Sequence, residues 1–409
     1  MFLATGATVI GQGTPGQPAD ARDEIIRQLQ QRLERVELEM RELKNGQKRS
    51  DTNSPASSML DISDTRTDAE GEYPETRSRY PNLQFHGFGD FSYVVNDRHG
   101  EHNSFGIGHL DFFLNSSLSE NMEVLSELVA ETGRDNDVKF EIERLLLRYT
   151  PGDYLSLGMG RYHTAVGFYN TEYHHGTLFQ TAVGRPFIYD FEDAGGVLPM
   201  HNVGITANGR IPSGSLGLQY VIELGNGRAY SNSGGEPVLN VSDDNSFKAV
   251  NVGLSARPES LPGLQIGFSG YYDRLTPEAL PRVNQTVLAG YVVYQRPKFE
   301  WLNELLWIHH NTDGDGPTTH AWSAYSQIAQ QFGAFRPYLR YQYLHAPRAD
   351  IIFSNFSETG TLHGPSLGLR YDINDLATLK LQYDHYWQSR GNFGRSTLNQ
   401  VTTQVGFGF

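Results

Sequence analysis

The chain of 409 residues carries a formal net charge of −14, with 38% hydrophobic and 12% aromatic residues, 43 Gly and no Cys. The lack of Cys excludes a disulfide scaffold, thiolate zinc sites and cysteine nucleophiles, and the acidic balance argues against general nucleic-acid binding. No run approaches the ~18 apolar residues of a spanning helix. The mean hydropathy of −0.47 agrees. Neither fact excludes a membrane, because barrel strands alternate lipid-facing apolar with lumen-facing polar residues.

Residues 1–20 read as the remnant of a secretory signal or as a flexible N-terminus: Met1 to Ile10 is apolar and small-residue-rich but lacks a basic n-region. Residues 21–46 carry the clearest helical pattern. Ile26, Leu33 and Met40 interleave with Leu29, Val36 and Leu43 as the a/d seam of an α-helical coiled coil, flanked by Arg32, Glu37, Glu39 and Lys44. Such a polar helix needs something to cover its stripe, which favours self-association; packing on its own barrel or on another envelope protein is the alternative. Residues 47–82 are rich in Ser, Thr, Asp, Glu and Pro, a composition that buries too little to order itself, and read as a disordered acidic linker.

From Leu83 onward the chain breaks into about sixteen strand-like segments of about ten to fourteen residues. They run from Leu83–Val95 and Phe105–Ser119 to Thr378–Gln388 and Thr397–Phe409. Tight turns such as Arg296-Pro297-Lys298 alternate with longer loops such as Ala346–Leu362. This pattern predicts an all-β, antiparallel, up-and-down transmembrane β-barrel over residues 83–409, with short turns in the periplasm and long loops outside. Leu216, Leu218, Tyr220, Ile222 and Leu224 alternate with polar residues in the segment Ser215–Gly225, and Tyr and Trp cluster near strand ends, where interfacial girdles lie. Phe299–Asn311 is apolar in both phases, which marks either a subunit interface or a loop-covered lumen.

Residues 163–198 form a long stretch without strand or helix period, dense in aromatics, His and carboxylates. A connection of that length inside an ordered domain is usually functional, and we read it as a loop folded into the bore. Its candidate constriction residues are Glu172, His174, His175, Arg185, Asp190, Glu192 and Asp193. Opposite it, Arg336, Arg340, Arg370 and Lys380 fall in the lumen phase as a candidate basic wall. An acidic loop against a basic wall would set a transverse field that selects solutes; solvated or locally paired lumen residues with no selecting role are the alternative. Glu123 and Glu127 on one strand and Arg144 and Arg148 on the next read as pairs bracing the wall. His163, His174, His175 and His201 bracket the loop without HxH or HExxH spacing, so they read as anchors rather than metal ligands. Asp313-Gly314-Asp315-Gly316 lacks the last ligand of a calcium loop and reads as a hairpin turn.

The closing strand sets Val401, Val405, Phe407 and Phe409 on one face, and ending on Phe resembles the assembly signal of bacterial outer-membrane barrels. Together with Phe85-His86-Gly87-Phe88-Gly89-Asp90-Phe91-Ser92 and the strand end from Glu143-Arg144 to Tyr149, the layout resembles trimeric sixteen-stranded porins, most nearly the phosphate-selective porin O/P type. The resemblance implies a passive channel for small hydrophilic solutes or ions, with no cofactor and no catalysis. Its implied partners are a second and third copy of the chain, outer-membrane lipid and the barrel-assembly machinery. Peptidoglycan or a periplasmic protein could also meet the coiled coil, and an envelope-tethering role is the alternative function. The arginine ladder of a phosphate-selective pore has no counterpart here. The sequence holds no GxSxG elbow, P-loop or GxGxxG opening a βαβ unit, so no enzyme class is indicated.

Overall fold

The computed structural model describes residues 80–132, 138–173, 176–190, 198–228, 243–277, 280–353, 360–390 and 394–409. The coiled-coil seam, most of the linker, and His174, His175, Glu192 and Asp193 lie outside the described residues.

The strands follow one another as β1 (Asn82–Asn96), β2 (Ser104–Ser117), β3 (Met122–Thr132), β4 (Val138–Gly152), β5 (Leu155–His163), β6 (His201–Arg210), β7 (Leu218–Gly225) and β8 (Ala249–Ala256). The second half comprises β9 (Leu264–Leu275), β10 (Val283–Arg296), β11 (Phe299–Thr312), β12 (Thr318–Gln330), β13 (Phe335–Ala346), β14 (Gly360–Asn374), β15 (Ala377–Arg390) and β16 (Arg395–Gly408). Each pairs antiparallel with its chain neighbours, and β16 pairs with β1, so the sixteen described strands close into a barrel with no free edge. Closure disposes of the unpaired edge groups that an open sheet would leave exposed.

Two single-turn helices, α1 (Tyr169–Glu172) and α2 (Phe187–Asp190), lie in the β5–β6 connection. The segment Ser215–Gly225 begins as a strand later than its alternation predicts. Leu216 lies in a 3-10 turn, Gly214–Leu216, and Gly214 and Gly217 adopt left-handed φ values of 54° and 58° that break the pleat before Leu218.

Period-two alternation now has two definite sides. On β13, Leu339, Tyr341 and Tyr343 are exposed outward while Tyr338, Arg340, Gln342 and Leu344 are buried inward. On β15, Leu379, Leu381 and Tyr383 face outward, and Lys380, Gln382 and Asp384 face inward. An apolar outside over a polar inside inverts the arrangement of a water-soluble core and suits a lipid exterior. Aromatic belts edge the apolar band. At the short-turn end, Phe335 lies 4.9 Å from Tyr371, ring to ring. At the other end, Trp307 lies 5.9 Å from Trp322 and His363 stacks on Trp387 at 5.3 Å. Trp301 and Trp307 on β11 lie roughly 20 Å apart along the strand at ~3.4 Å per residue, about 15 Å in height once a tilt of about 35–45° is taken out, so both fall within such a band.

The seam between first and last strands is built on glycine. The Gly87 amide donates to the Phe409 carbonyl at 2.9 Å, and the Phe409 amide returns the bond to Gly87 at 2.9 Å. The Phe409 ring lies directly over Gly87, where an added Cβ would come within 2.3 Å of it; Phe407 covers Gly89 in the same way, at 2.8 Å. The opening strand's glycines thus form seats for the two terminal rings. Asp313–Gly316 is the β11–β12 turn, with Asp313 taking a 2.7 Å hydrogen bond from Arg282 Nε.

Candidate functional site

Between the end of β5 at His163 and the start of β6 at His201, the described residues of the connection lie inside the barrel. Val166, Phe168, Tyr169, Phe187, Ile188 and Tyr189 are all buried and form one cluster with inward residues of β8 to β16. At roughly 1.5–3 kcal/mol per fully buried large apolar side chain, that cluster holds the loop against the wall. The double apolar phase of β11 has its explanation here: Leu302, Leu306 and Ile308 face inward and pack under the loop, while Trp301, Leu305 and Trp307 face outward.

A segment with almost no regular structure leaves backbone groups that must find partners once buried. The wall supplies them. Glu304 accepts from the Phe168 amide at 2.6 Å, the Tyr169 amide at 3.0 Å, the Tyr189 hydroxyl at 3.0 Å and the Tyr325 hydroxyl at 2.6 Å. Gly167 makes this approach possible. Its φ is +80°, and a Cβ there would lie 2.1 Å from the Tyr189 oxygen and 2.7 Å from Glu304. Glu300 accepts from Thr181 at 3.1 Å and Gln327 at 2.7 Å, and Glu223 accepts from the Ala165 amide at 3.0 Å.

The carbonyls are met by cations. Arg340 donates to Gly184 at 2.9 Å and Val183 at 3.0 Å. Arg370 reaches the Gln180 carbonyl at 3.0 Å, and Lys380 reaches Thr177 and Ala182. Gln382 accepts from the Val183 amide at 2.9 Å and Gln342 from that of Phe187 at 3.1 Å. The loop tip touches the first and last strands as well: Phe179 packs edge-on against Phe88 at 4.9 Å, and the tip approaches β16 so closely that a Cβ on Gly406 would lie 3.1 Å from the Leu178 nitrogen.

These contacts give the expected basic wall a different role from a bare charged surface. Arg340, Arg370 and Lys380 face inward and clamp loop carbonyls, while Arg336 donates to Gln331 at 2.9 Å near the β12–β13 turn. Glu172, at the end of α1, lies 3.6 Å from Arg257 rather than beside those cations; burial raises its pKa, opposed by Arg257. Arg185 is buried within the loop, and Asp190 is described only through its backbone in α2. Across β3 and β4, Glu123 faces Arg148 and Glu127 faces Arg144 in register, and both pairs close as ion pairs, the first at 2.8 Å.

The β13–β14 connection also packs inward. Asp350 accepts from the amides of Ile352 at 2.9 Å and Phe353 at 3.0 Å, binds the Thr319 hydroxyl, and lies 2.7 Å from His310 Nδ1. Burial by itself would raise its pKa, but hydrogen bonding to His310, the charge of that imidazole, and the Thr319 and Phe353 donors hold it below the usual aspartate value. Its contribution is therefore complete above about pH 4, the unfolded-state range for Asp, and is lost as pH falls through the depressed value. Hydrogen exchange should show Ile352 and Phe353 amide protection that survives to pH 4 and collapses below it. Asp350→Asn should weaken that protection at neutral pH and remove the acid step.

No family model matches the sequence, and no curated protein matches it. Solved structures do. The fold is that of outer-membrane porins. An anion-selective porin from Comamonas acidovorans superposes with a TM-score of 0.58 at 12% identity, over 80% of this chain and 99% of that one. The outer membrane channel DcaP of Acinetobacter baumannii gives 0.56 at 11% identity, over 82% and 99%. OmpT of Vibrio cholerae, an outer membrane protein solved in a trimer form, gives 0.51 at 9% identity, over 80% and 99%. In this porin-fold chain the loop anchors Glu300, Glu304 and Gln382 sit on strands far from the loop in sequence.

Proposed function

We propose that this chain is an outer-membrane porin, a passive diffusion channel for small hydrophilic solutes or ions, working without catalysis or cofactor. One observation carries the reading: a closed barrel, apolar outside and polar inside, with an extended connection docked across its bore. A sixteen-stranded barrel is wide enough to leave an aqueous channel, and a docked loop narrows it to a filter. We further propose that the short-turn end faces the periplasm and that the N-terminal heptads serve self-association there. Homotrimers are the proposed assembly, in keeping with the trimer form of the Vibrio cholerae neighbour. Phosphate selectivity is not part of the proposal, since three of the four candidate basic side chains are engaged by loop carbonyls.

Purified protein in a planar bilayer should insert as discrete ohmic current steps, with three-fold substructure in a trimer. A folded, heat-modifiable barrel that never conducts would overturn the channel reading. It would leave the second proposal, an envelope tether, which the heptad seam from Ile26 to Leu43 favours. A tether further predicts that deleting residues 21–46 loosens the envelope while solute uptake is unchanged.

A further inference from the structure

At the neck of the inward loop, strand pairing assembles a cluster that spacing along the sequence conceals. His163 ends β5 and His201 begins β6, and the two are direct partners in the antiparallel register, so the imidazoles meet at 4.9 Å between ring centroids. Glu143 comes from β4, where it sits at the point of an extra residue: Glu127 pairs with Arg144, and Leu128 with Ile142. The irregularity brings Glu143 and Arg144 together beside the neck. Glu143 Oε2 lies 2.5 Å from His201 Nε2, and Glu127 Oε2 lies 3.6 Å from His163 Nε2. One ligand atom from each of Glu143, His163 and His201 falls within 4.8 Å of the other two. All three side chains are enclosed, the most open being His163 at 8% exposure.

We propose that Glu143, His163 and His201 form a binding site for a divalent transition metal, zinc in the first place, that staples the two stems of the loop. Two imidazoles and a carboxylate are a nitrogen–oxygen donor set suited to zinc, with Glu127 or water completing a tetrahedron. Ligands ~2.1 Å from a common ion lie about 3.4 Å apart, so on binding the widest separations, up to 4.8 Å, shorten and the 2.5 Å approach of Glu143 to His201 lengthens. The cations at hand are Arg144 on Glu127, and Arg161, whose Nη2 is 3.8 Å from Glu143 Oε2 and whose Nε donates to the Glu143 carbonyl at 3.0 Å. The Glu143 carboxylate already points at the imidazoles, with Oε2 on His201 Nε2. A metal there would join β4, β5 and β6 at the point where the chain turns into the bore, and would therefore resist withdrawal of the loop.

The test is titration of the chelator-stripped full-length protein, folded in detergent, with zinc chloride by calorimetry, and with cobalt(II) by visible absorption. The expected result is one equivalent of zinc per chain and a cobalt spectrum typical of four or five nitrogen and oxygen ligands. His163→Ala and His201→Ala should each weaken binding at least tenfold, and the shape-conserving Glu143→Gln should do the same in protein that still migrates as a folded barrel. His174→Ala/His175→Ala should leave binding unchanged. Absence of binding to the folded native protein overturns the assignment. So does stoichiometric binding that persists in His163→Ala/His201→Ala or moves with His174 and His175.

Discussion

Glu304→Ala should release the loop from the wall and raise the single-channel current, with a noisier open level. The carboxylate receives four donors, two from the loop backbone and two from tyrosines on either side of it. Each buried donor left without an acceptor costs about 1–3 kcal/mol unless water takes its place, so docking weakens by several kcal/mol. Water can enter only if the loop moves away from β11. Glu304→Gln is the sharper variant because it keeps shape and volume: its amide nitrogen brings donors to a point where four donors already converge. It should open the channel almost as much as Ala does, while barrel folding, read by heat-modifiable migration, stays intact. An unchanged current in both variants would mean that the aromatic packing alone fixes the loop.

The second large effect is expected at the closing seam. Gly87→Ala places a methyl group 2.3 Å from the Phe409 ring, and overpacking of that kind typically costs about 1–3 kcal/mol. Removing Phe409 also deletes two backbone hydrogen bonds between β16 and β1 and uncovers Phe85 and Phe112, whose rings lie 6.4 and 6.3 Å from it. Both changes should lower the yield of closed barrel on refolding. Because the clash is with the ring, Phe409→Ala should relieve Gly87→Ala, and the double variant should fold better than the two single losses sum to. Additive losses would show that the ring-on-glycine contact does not couple them.

The wall of this protein is legible in its sequence because a strand exposed to different solvents on its two sides must alternate. Leu379, Leu381 and Tyr383 against Lys380, Gln382 and Asp384 state the outward and inward faces without reference to any other strand. The loop's presence inside the bore is legible too, from its length and from the inward leucines of β11, which would have no reason to face water. Its anchors are not. Phe168 and Glu304 are separated by more than a hundred positions, and a lumen-phase glutamate looks the same whether it meets water or a buried amide. Nor can the sequence show that Arg340, Arg370 and Lys380 meet backbone carbonyls of the loop, because a carbonyl in need of a donor leaves no mark on residue type. Gly87 and Gly89 are seats for Phe409 and Phe407, a pairing across the first and last strands that neither segment shows by itself. The histidine pair at the neck needed the register of β5 and β6 before it could be recognised.

The most direct test of a loop lying across the bore uses the fact that the native chain has no Cys. Phe179→Cys at the loop tip and Phe88→Cys on β1 replace two rings in contact across the interior. A short bifunctional thiol reagent applied to the folded barrel in membranes should join them within one chain, detected as altered migration after unfolding. If each thiol reacts singly with a monofunctional reagent yet the pair never cross-links, the loop does not reach β1, and the account of a filtered channel fails.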